Sequence, residues 1–271
     1  MMELADTHCH IQSVGLDVGE RSTREKWAKL PDLTGDQIVA NAAEQGVTRL
    51  ICVGCDLEDS RLAIDFVKNR ENCWATVGLH PHEAQHYAGQ QAKLDEFASL
   101  VTDKKVVAIG ECGLDLFYTH SPRQDQIEVL KFQLQLAAKH GLPVIFHVRQ
   151  AFDDFWPVFD SFTGVTGVLH SYTDNAGNLA KALDRGLLIG VNGIATFAKD
   201  PAQLEVYKSI PLDSLLLETD SPFLTPTPYR GSINEPKRLG AVADFVAQLR
   251  GENRDQLAVR TTANARQLFG I

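Results

Sequence analysis

Near its start the chain reads Glu3-Leu4-Ala5-Asp6-Thr7-His8-Cys9-His10. An apolar opening that runs into two histidines reads as a β-strand and its C-terminal end. Side chains alternate faces along a strand, so residues two apart point the same way. His8 and His10 then project side by side, at about the spacing two imidazoles need to grip one metal ion. Two histidines on a strand edge also arise by chance, and the rest of the chain has to decide between the readings.

Seven further apolar runs follow, at residues 49–53, 74–79, 106–109, 144–146, 167–169, 187–189 and 215–217. Most are rich in Val, Ile and Leu without polar alternation, the pattern of strands buried on both faces. Between them, residues 36–44, 57–68, 124–139, 178–184 and 201–208 carry Leu and Ala at three- and four-residue steps, the helical spacing. Gly46, Gly141 and Gly186 stand where several of these segments stop. Eight β/α units in 271 residues predict an α/β fold, a (β/α)8 TIM barrel, as a single domain over residues 1–271. A doubly wound open sheet is the alternative, but the Gly-rich dinucleotide fingerprint that accompanies it is absent. The longest early stretch without strand character is residues 11–33, with Glu20, Arg21, Arg24, Glu25 and Lys26. It is expected as a solvated surface insertion, or else as a mobile loop or short helix over the barrel mouth.

The net charge of −9 argues against a basic-groove nucleic-acid binder, whose affinity rests on many Lys and Arg contacts to phosphate. It leaves open an enzyme that attracts phosphate through bound cations. No apolar run is long enough to span a bilayer and no cleavable leader is read, so a cytoplasmic location is expected. Five cysteines at irregular spacing do not form a disulfide framework. The pair Cys52-Val53-Gly54-Cys55 ends a strand-like run instead of opening a helix, and no second pair completes a zinc site. Free buried thiols are the expectation.

Barrel enzymes carry their active sites at the C-terminal ends of the strands. Ligand-type residues fall there repeatedly: His8 and His10, then His80 and His82 in Gly78-Leu79-His80-Pro81-His82. Glu111 follows in Gly110-Glu111-Cys112-Gly113-Leu114-Asp115, His147 and His170 close two more runs, and Asp220 lies in Glu218-Thr219-Asp220-Ser221-Pro222. Six of the nine histidines sit at strand ends. A carboxylate leaving a Val-Val-Ala-Ile run needs a partner if buried, which favours a functional Glu111. Four histidines and two carboxylates exceed one ordinary zinc site. They suit a binuclear centre with a shared carboxylate, able to take zinc, Mg²⁺ or Mn²⁺. Glu218 and Asp6 could face the same interior or serve as core polar groups, and both readings stay open.

These motifs, with Phe223-Leu224, Arg230-Gly231 and Asn234-Glu235-Pro236, resemble the TatD family of metal-dependent DNases, and the match extends to Asn264-Ala265-Arg266-Gln267-Leu268-Phe269. The resemblance implies an amidohydrolase-like TIM barrel. It implies that His8, His10, Glu111 and Asp220 hold one metal, and Glu111, His147 and His170 the second, with Glu111 bridging. Where the family often has His-x-Arg-Asp-Ala, this chain has His147-Val148-Arg149-Gln150-Ala151, and His170-Ser171-Tyr172 stands for His-Cys-Phe. Residues 11–33 also look longer than is common.

The function expected is a two-metal phosphodiesterase that cleaves DNA, and RNA as a second substrate, from single-stranded ends through a metal-activated water. Asp220 would be the general base, with Glu111 and His82 in the catalytic set; His82 could instead only shape its loop. His80, Arg149 and Arg230 would contact phosphate, although Arg149 could pair with Asp153 or Asp154 and Arg230 could lie on the surface. Tyr118, Tyr172, Phe197 and Phe223 lie near strand ends, where packing is the commoner role and base stacking the rarer one. No obligate protein partner is implied. The competing reading is a carbonyl or ester hydrolase, such as a D-aminoacyl-tRNA deacylase.

Overall fold

The structure, a computed structural model, describes residues 3–271. Eight strands follow in chain order: β1 (Leu4–Cys9), β2 (Val47–Val53), β3 (Cys73–Val77), β4 (Val106–Asp115), β5 (Val144–Arg149), β6 (Gly167–Leu169), β7 (Leu188–Val191) and β8 (Leu215–Leu217). Each pairs in parallel with the next. The ring closes between its first and last strands. Asp220 N–H donates to His8 O at 2.8 Å, His10 N–H to Ser221 O at 2.7 Å, and Thr7 Oγ1 to Leu217 O at 3.1 Å. The expected TIM barrel is the architecture found.

Among the described residues, ten α-helices surround it: α1 (Arg21–Trp27), α2 (Gly35–Glu44), α3 (Leu57–Val67), α4 (Gln91–Leu100), α5 (Arg123–His140), α6 (Phe152–Phe159), α7 (Ala176–Asp184), α8 (Pro201–Ser209), α9 (Leu239–Arg250) and α10 (Arg254–Phe269). Among the described residues, no helix is long and apolar enough to cross a membrane. A large apolar layer joins strands to helices, as Leu50, Cys52, Phe146 and Leu169 pack with Ala63, Leu130 and Phe155. A smaller one, including Ala5, Ile51, Val53, Ala108, Ile145, Val168 and Leu216, packs with Ala265 and Phe269 of α10. That helix also ties down the strand starts: Thr262 Oγ1 donates to Glu3 O, and Asn264 Nδ2 to Leu212 O and Leu215 O. The N-terminal end is thereby plugged with apolar groups, and polar chemistry is left to the other end.

Two differences from the sequence reading matter for the site. Strand β4 continues to Asp115, well beyond the apolar run at 106–109, and all ten of its residues are buried. Hydropathy stops at Gly110, but ladder pairing does not: Gly113 pairs with His147 and Asp115 with Arg149. Residues 11–33 are solvated only in part, and they carry the short helix α1 at the barrel mouth, the other reading of this stretch. Ile11, Val14 and Trp27 are buried, and Trp27 Nε1 donates to His10 O at 2.8 Å. The Glu20 carboxylate caps α1 by accepting from the backbone N–H groups of Ser22 and Thr23. All five cysteines are free and buried, as expected.

Candidate active site

A cavity of about 1170 Å³ opens at the C-terminal ends of the strands. Its floor holds His10, His80, Glu111, His147, His170 and Asp220, and residues 20–23 with Glu25 form part of its wall. His8 lies beneath, fully buried and stacked on His170 with ring centroids 3.8 Å apart.

Glu111 is the centre of the arrangement. Its Oε2 lies 3.5 Å from His8 Nε2 and 4.0 Å from His10 Nε2, and those two nitrogens are 3.1 Å apart. Asp220 Oδ1 completes this group, 3.6 Å from His8 Nε2 and 3.3 Å from His10 Nε2. The other oxygen, Oε1, lies 2.8 Å from His147 Nδ1, 3.0 Å from His170 Nε2 and 3.8 Å from His80 Nε2. Ligands around a tetrahedral ion with bonds of about 2.0–2.1 Å are separated by roughly 3.3 Å, the scale of these spacings. The structure thus brings all six expected metal-ligand residues together: His8, His10 and Glu111, then His8, His170 and Asp220, and then Glu111 and His147 with His80, each lie close enough to share an ion.

The tautomers needed for metal binding follow from the outer partners. His10 Nδ1 lies 2.9 Å from Val53 O, a carbonyl that can only accept, so Nδ1 carries hydrogen and Nε2 offers its lone pair to the cluster. His170 Nδ1 faces Glu218 Oε1 at 3.1 Å, which leaves Nε2 for Glu111. His147 Nε2 faces Asp115 Oδ2 at 3.0 Å, which leaves Nδ1. Neutral imidazoles in these tautomers would aim lone pairs at carboxylate oxygens, an arrangement that calls for cations between them. Without ions, protons take those places. Burial opposes a charge on His10, but the hydrogen bond it donates to Asp220 raises its pKa to about 9. Burial likewise opposes charge on His170, and Glu218 and Glu111 overcome it. Burial pushes the Glu111 and Asp220 carboxyls up, yet the surrounding histidines hold both below the usual range. The donor set fits divalent ions that would displace these protons.

Glu218 and Asp115, whose roles the sequence does not reveal, are the groups that orient ligands. Glu218 Oε1 accepts from His170, from Ser171 N–H at 2.6 Å and from Asn192 Nδ2 at 3.2 Å. A Cβ at position 190 would overlap that carboxylate, so Gly190 makes room for it. Asp115 Oδ2 faces both His147 and, at 3.1 Å, His82. Burial raises its pKa, but these two histidines and backbone N–H groups bring it well below the carboxylate range. Such carboxylate–histidine pairs fix ring orientation and ligand basicity. Asp6 has a different task. It accepts from Thr219 N at 2.9 Å and Thr219 Oγ1 at 2.6 Å, pinning β1 to the segment that follows β8.

Of the expected phosphate-contacting residues, His80 and Arg149 line the cavity, as does His82. His80 Nδ1 accepts the His82 N–H, so its Nε2 carries the hydrogen. Burial and the neighbouring His147 depress its pKa well below the usual value, which keeps it a neutral donor. Arg149 does not pair with Asp154, which binds Arg123. The structure does not bring Arg230 to the cluster: it donates to Thr225 O at 2.9 Å and covers the Phe197 ring. Cys55, from the C-x-x-C pair, edges the cavity with its thiol 4.0 Å from Glu111 Oε2, and burial pushes its pKa well up.

Comparison with known families matches residues 5–270 to the one described as TatD related DNase. The chain belongs to the TatD-related DNase family. Membership places it among metal-dependent hydrolases of nucleic acid. The TatD relatives include a protein of Salmonella typhimurium named "3'-5' ssDNA/RNA exonuclease TatD", 35% identical over 94% of this chain and 98% of its own. A Bacillus subtilis relative, named "Uncharacterized metal-dependent hydrolase YabD", is 33% identical over 99% of both chains. Among solved structures, the TatD homologue YJJV of Escherichia coli superposes with a TM-score of 0.85 at 28% identity, over 99% of this chain and 98% of that one. A Mycobacterium tuberculosis phosphotriesterase, at TM-score 0.69 and 16% identity, shares the fold.

Proposed function

We propose that this TatD-family protein is a two-metal phosphodiesterase that removes nucleotides from the 3′ ends of single-stranded DNA and RNA. The observation that carries the reading is the placement of Glu111, whose Oε2 faces His8 and His10 while its Oε1 faces His147 and His170. His8, His10, Asp220 and Glu111 Oε2 would hold one ion. His147, His170 and Glu111 Oε1 would hold the other. Bound there, divalent ions supply Lewis acidity toward a phosphoryl oxygen and bring the pKa of a water towards neutrality.

The remaining chemistry belongs to side chains of the chain. Asp220, ionised and itself a member of the first ligand group, takes a proton from the attacking water. His80, a neutral Nε2–H donor, hydrogen-bonds a non-bridging phosphate oxygen. His82, held by Asp115, stands on the cavity side to return a proton to the leaving oxygen. Residues 20–23 and Glu25 wall one side of the mouth, which favours a flexible strand end over the interior of a duplex. The polarity follows the curated relatives' names.

The test is digestion of 3′- and 5′-labelled single strands by wild type and Glu111→Gln, with Mg²⁺, Mn²⁺ or Zn²⁺. Metal-dependent release of the 3′ label first, abolished in the variant, is expected. Intact strands with every metal would overturn the nuclease reading and direct the next assay to the ester bond of aminoacyl-tRNA.

A further inference from the structure

The rim of the cavity beyond β4 exposes two aromatic rings that neither the metal ligands nor the barrel core uses. Phe117 is 47% and Tyr118 44% exposed, and they are two of the six exposed large hydrophobic side chains among the described residues. Water-exposed rings contribute little to folding. Nevertheless their backbone is closely held: both N–H groups donate to Asp115 Oδ1, at 2.9 and 2.8 Å. The other oxygen of the same carboxylate faces His147 and His82. The rim is therefore anchored to the group that orients a metal ligand.

The rings stand nearly perpendicular, 4.6 Å apart, and the Arg149 guanidinium lies 4.3 Å from Phe117 and 4.7 Å from Tyr118. Tyr118 and Arg149 line the cavity and Phe117 stands behind them. The Tyr118 ring is 5.9 Å from that of His82, which is 6.2 Å from that of His147. One ring's width thus separates the platform from the ligand cluster. Of the other aromatic candidates, Phe223 also lines the cavity, half-buried and 6.4 Å from the His10 ring. Tyr172 is buried with its hydroxyl on Asn175 O, and Phe197, under Arg230, does not line the cavity.

We propose that Tyr118 and Arg149, backed by Phe117, form a base-stacking subsite for the nucleotide beside the scissile phosphate. The inference rests on the nuclease reading. An aromatic face and a guanidinium plane accept any base, because every base has a π-face, and they reject a nucleotide without one. The subsite therefore selects unpaired, base-bearing strand ends with little sequence preference.

The test compares kcat/KM on a single-stranded oligonucleotide and on the same strand carrying tetrahydrofuran abasic residues at its last two positions. Wild type should prefer the intact strand by about tenfold to a hundredfold, expressed mainly in KM. Tyr118→Leu should bring the ratio close to one, and Tyr118→Phe should restore it. Metal stoichiometry monitors folding in both variants. A Tyr118→Leu enzyme that keeps the wild-type ratio, or wild type without a preference, overturns the subsite. Should wild type cleave neither strand, the nuclease reading fails by itself. The subsite is then decided by binding of a 2-aminopurine oligonucleotide: quenching by wild type that is lost in Tyr118→Leu supports it, and no quenching by wild type refutes it.

Discussion

Replacing Glu218 with glutamine should weaken one metal ion and spare the other. Glu218 Oε1 receives His170 Nδ1, Ser171 N–H and Asn192 Nδ2. A glutamine oxygen can still accept from these donors, so little buried hydrogen bonding is lost; the charge is what disappears. A hydrogen bond to a charged group contributes about 1.5–3 kcal/mol and a neutral one about 0.5–1.5 kcal/mol. The difference, about 1–1.5 kcal/mol, corresponds to roughly tenfold in affinity, at the low end of what loss of an outer partner costs a metal site. The effect should be confined to the ion held by His147 and His170, because no hydrogen bond joins Glu218 to His8, His10 or Asp220 among the described residues. Calorimetric titration of the metal-free variant with Mn²⁺ or Zn²⁺ should resolve one weakened and one nearly unchanged ion. Equal weakening of both ions, or no change in either, would refute the assignment of Glu218 to His170 alone.

Two further predictions separate the shared ligand from the rest. At Gly78, an added Cβ would overlap Gly110 C and Glu111 N, so Gly78→Ala should cost about 1–3 kcal/mol in denaturant unfolding and loosen both ions together; unaltered affinity for either would contradict the bridging role of Glu111. The second concerns pH. The His10 pKa is raised to about 9, so below that value its proton must leave before Nε2 can serve as a ligand. Affinity at the His8–His10 group should rise about tenfold per pH unit towards pH 9 and level off above it. Competition titrations that show no dependence on pH would remove His10 from that group.

The positions of His8, His10, Glu111, His147, His170 and Asp220 were legible because a parallel barrel collects whatever follows its apolar runs at one end. Two buried carboxylates show what was not. Asp6 and Glu218 each lie two residues from a site residue and look equivalent in sequence. In the fold one ties β1 to Thr219 and the other holds His170. Asp115 is hidden differently, since it stands in a polar stretch that reads as loop and is a strand residue because β5 continues to pair with it. Arg149 and Arg230 also look alike in the chain, and their neighbours, Tyr118 and Phe197, set them on different surfaces.

Local chemistry alone determined the barrel, the ligand types and the strand ends that carry them, since hydropathy period and residue type are properties of neighbouring positions. Which oxygen of Glu111 meets which histidine, which ring nitrogen keeps its hydrogen, and which aromatic ring stays open to solvent were decided only by tertiary structure. Those properties depend on distances of a few ångströms between groups far apart in the chain, as between Glu218 and His170, and closing the barrel is what sets them.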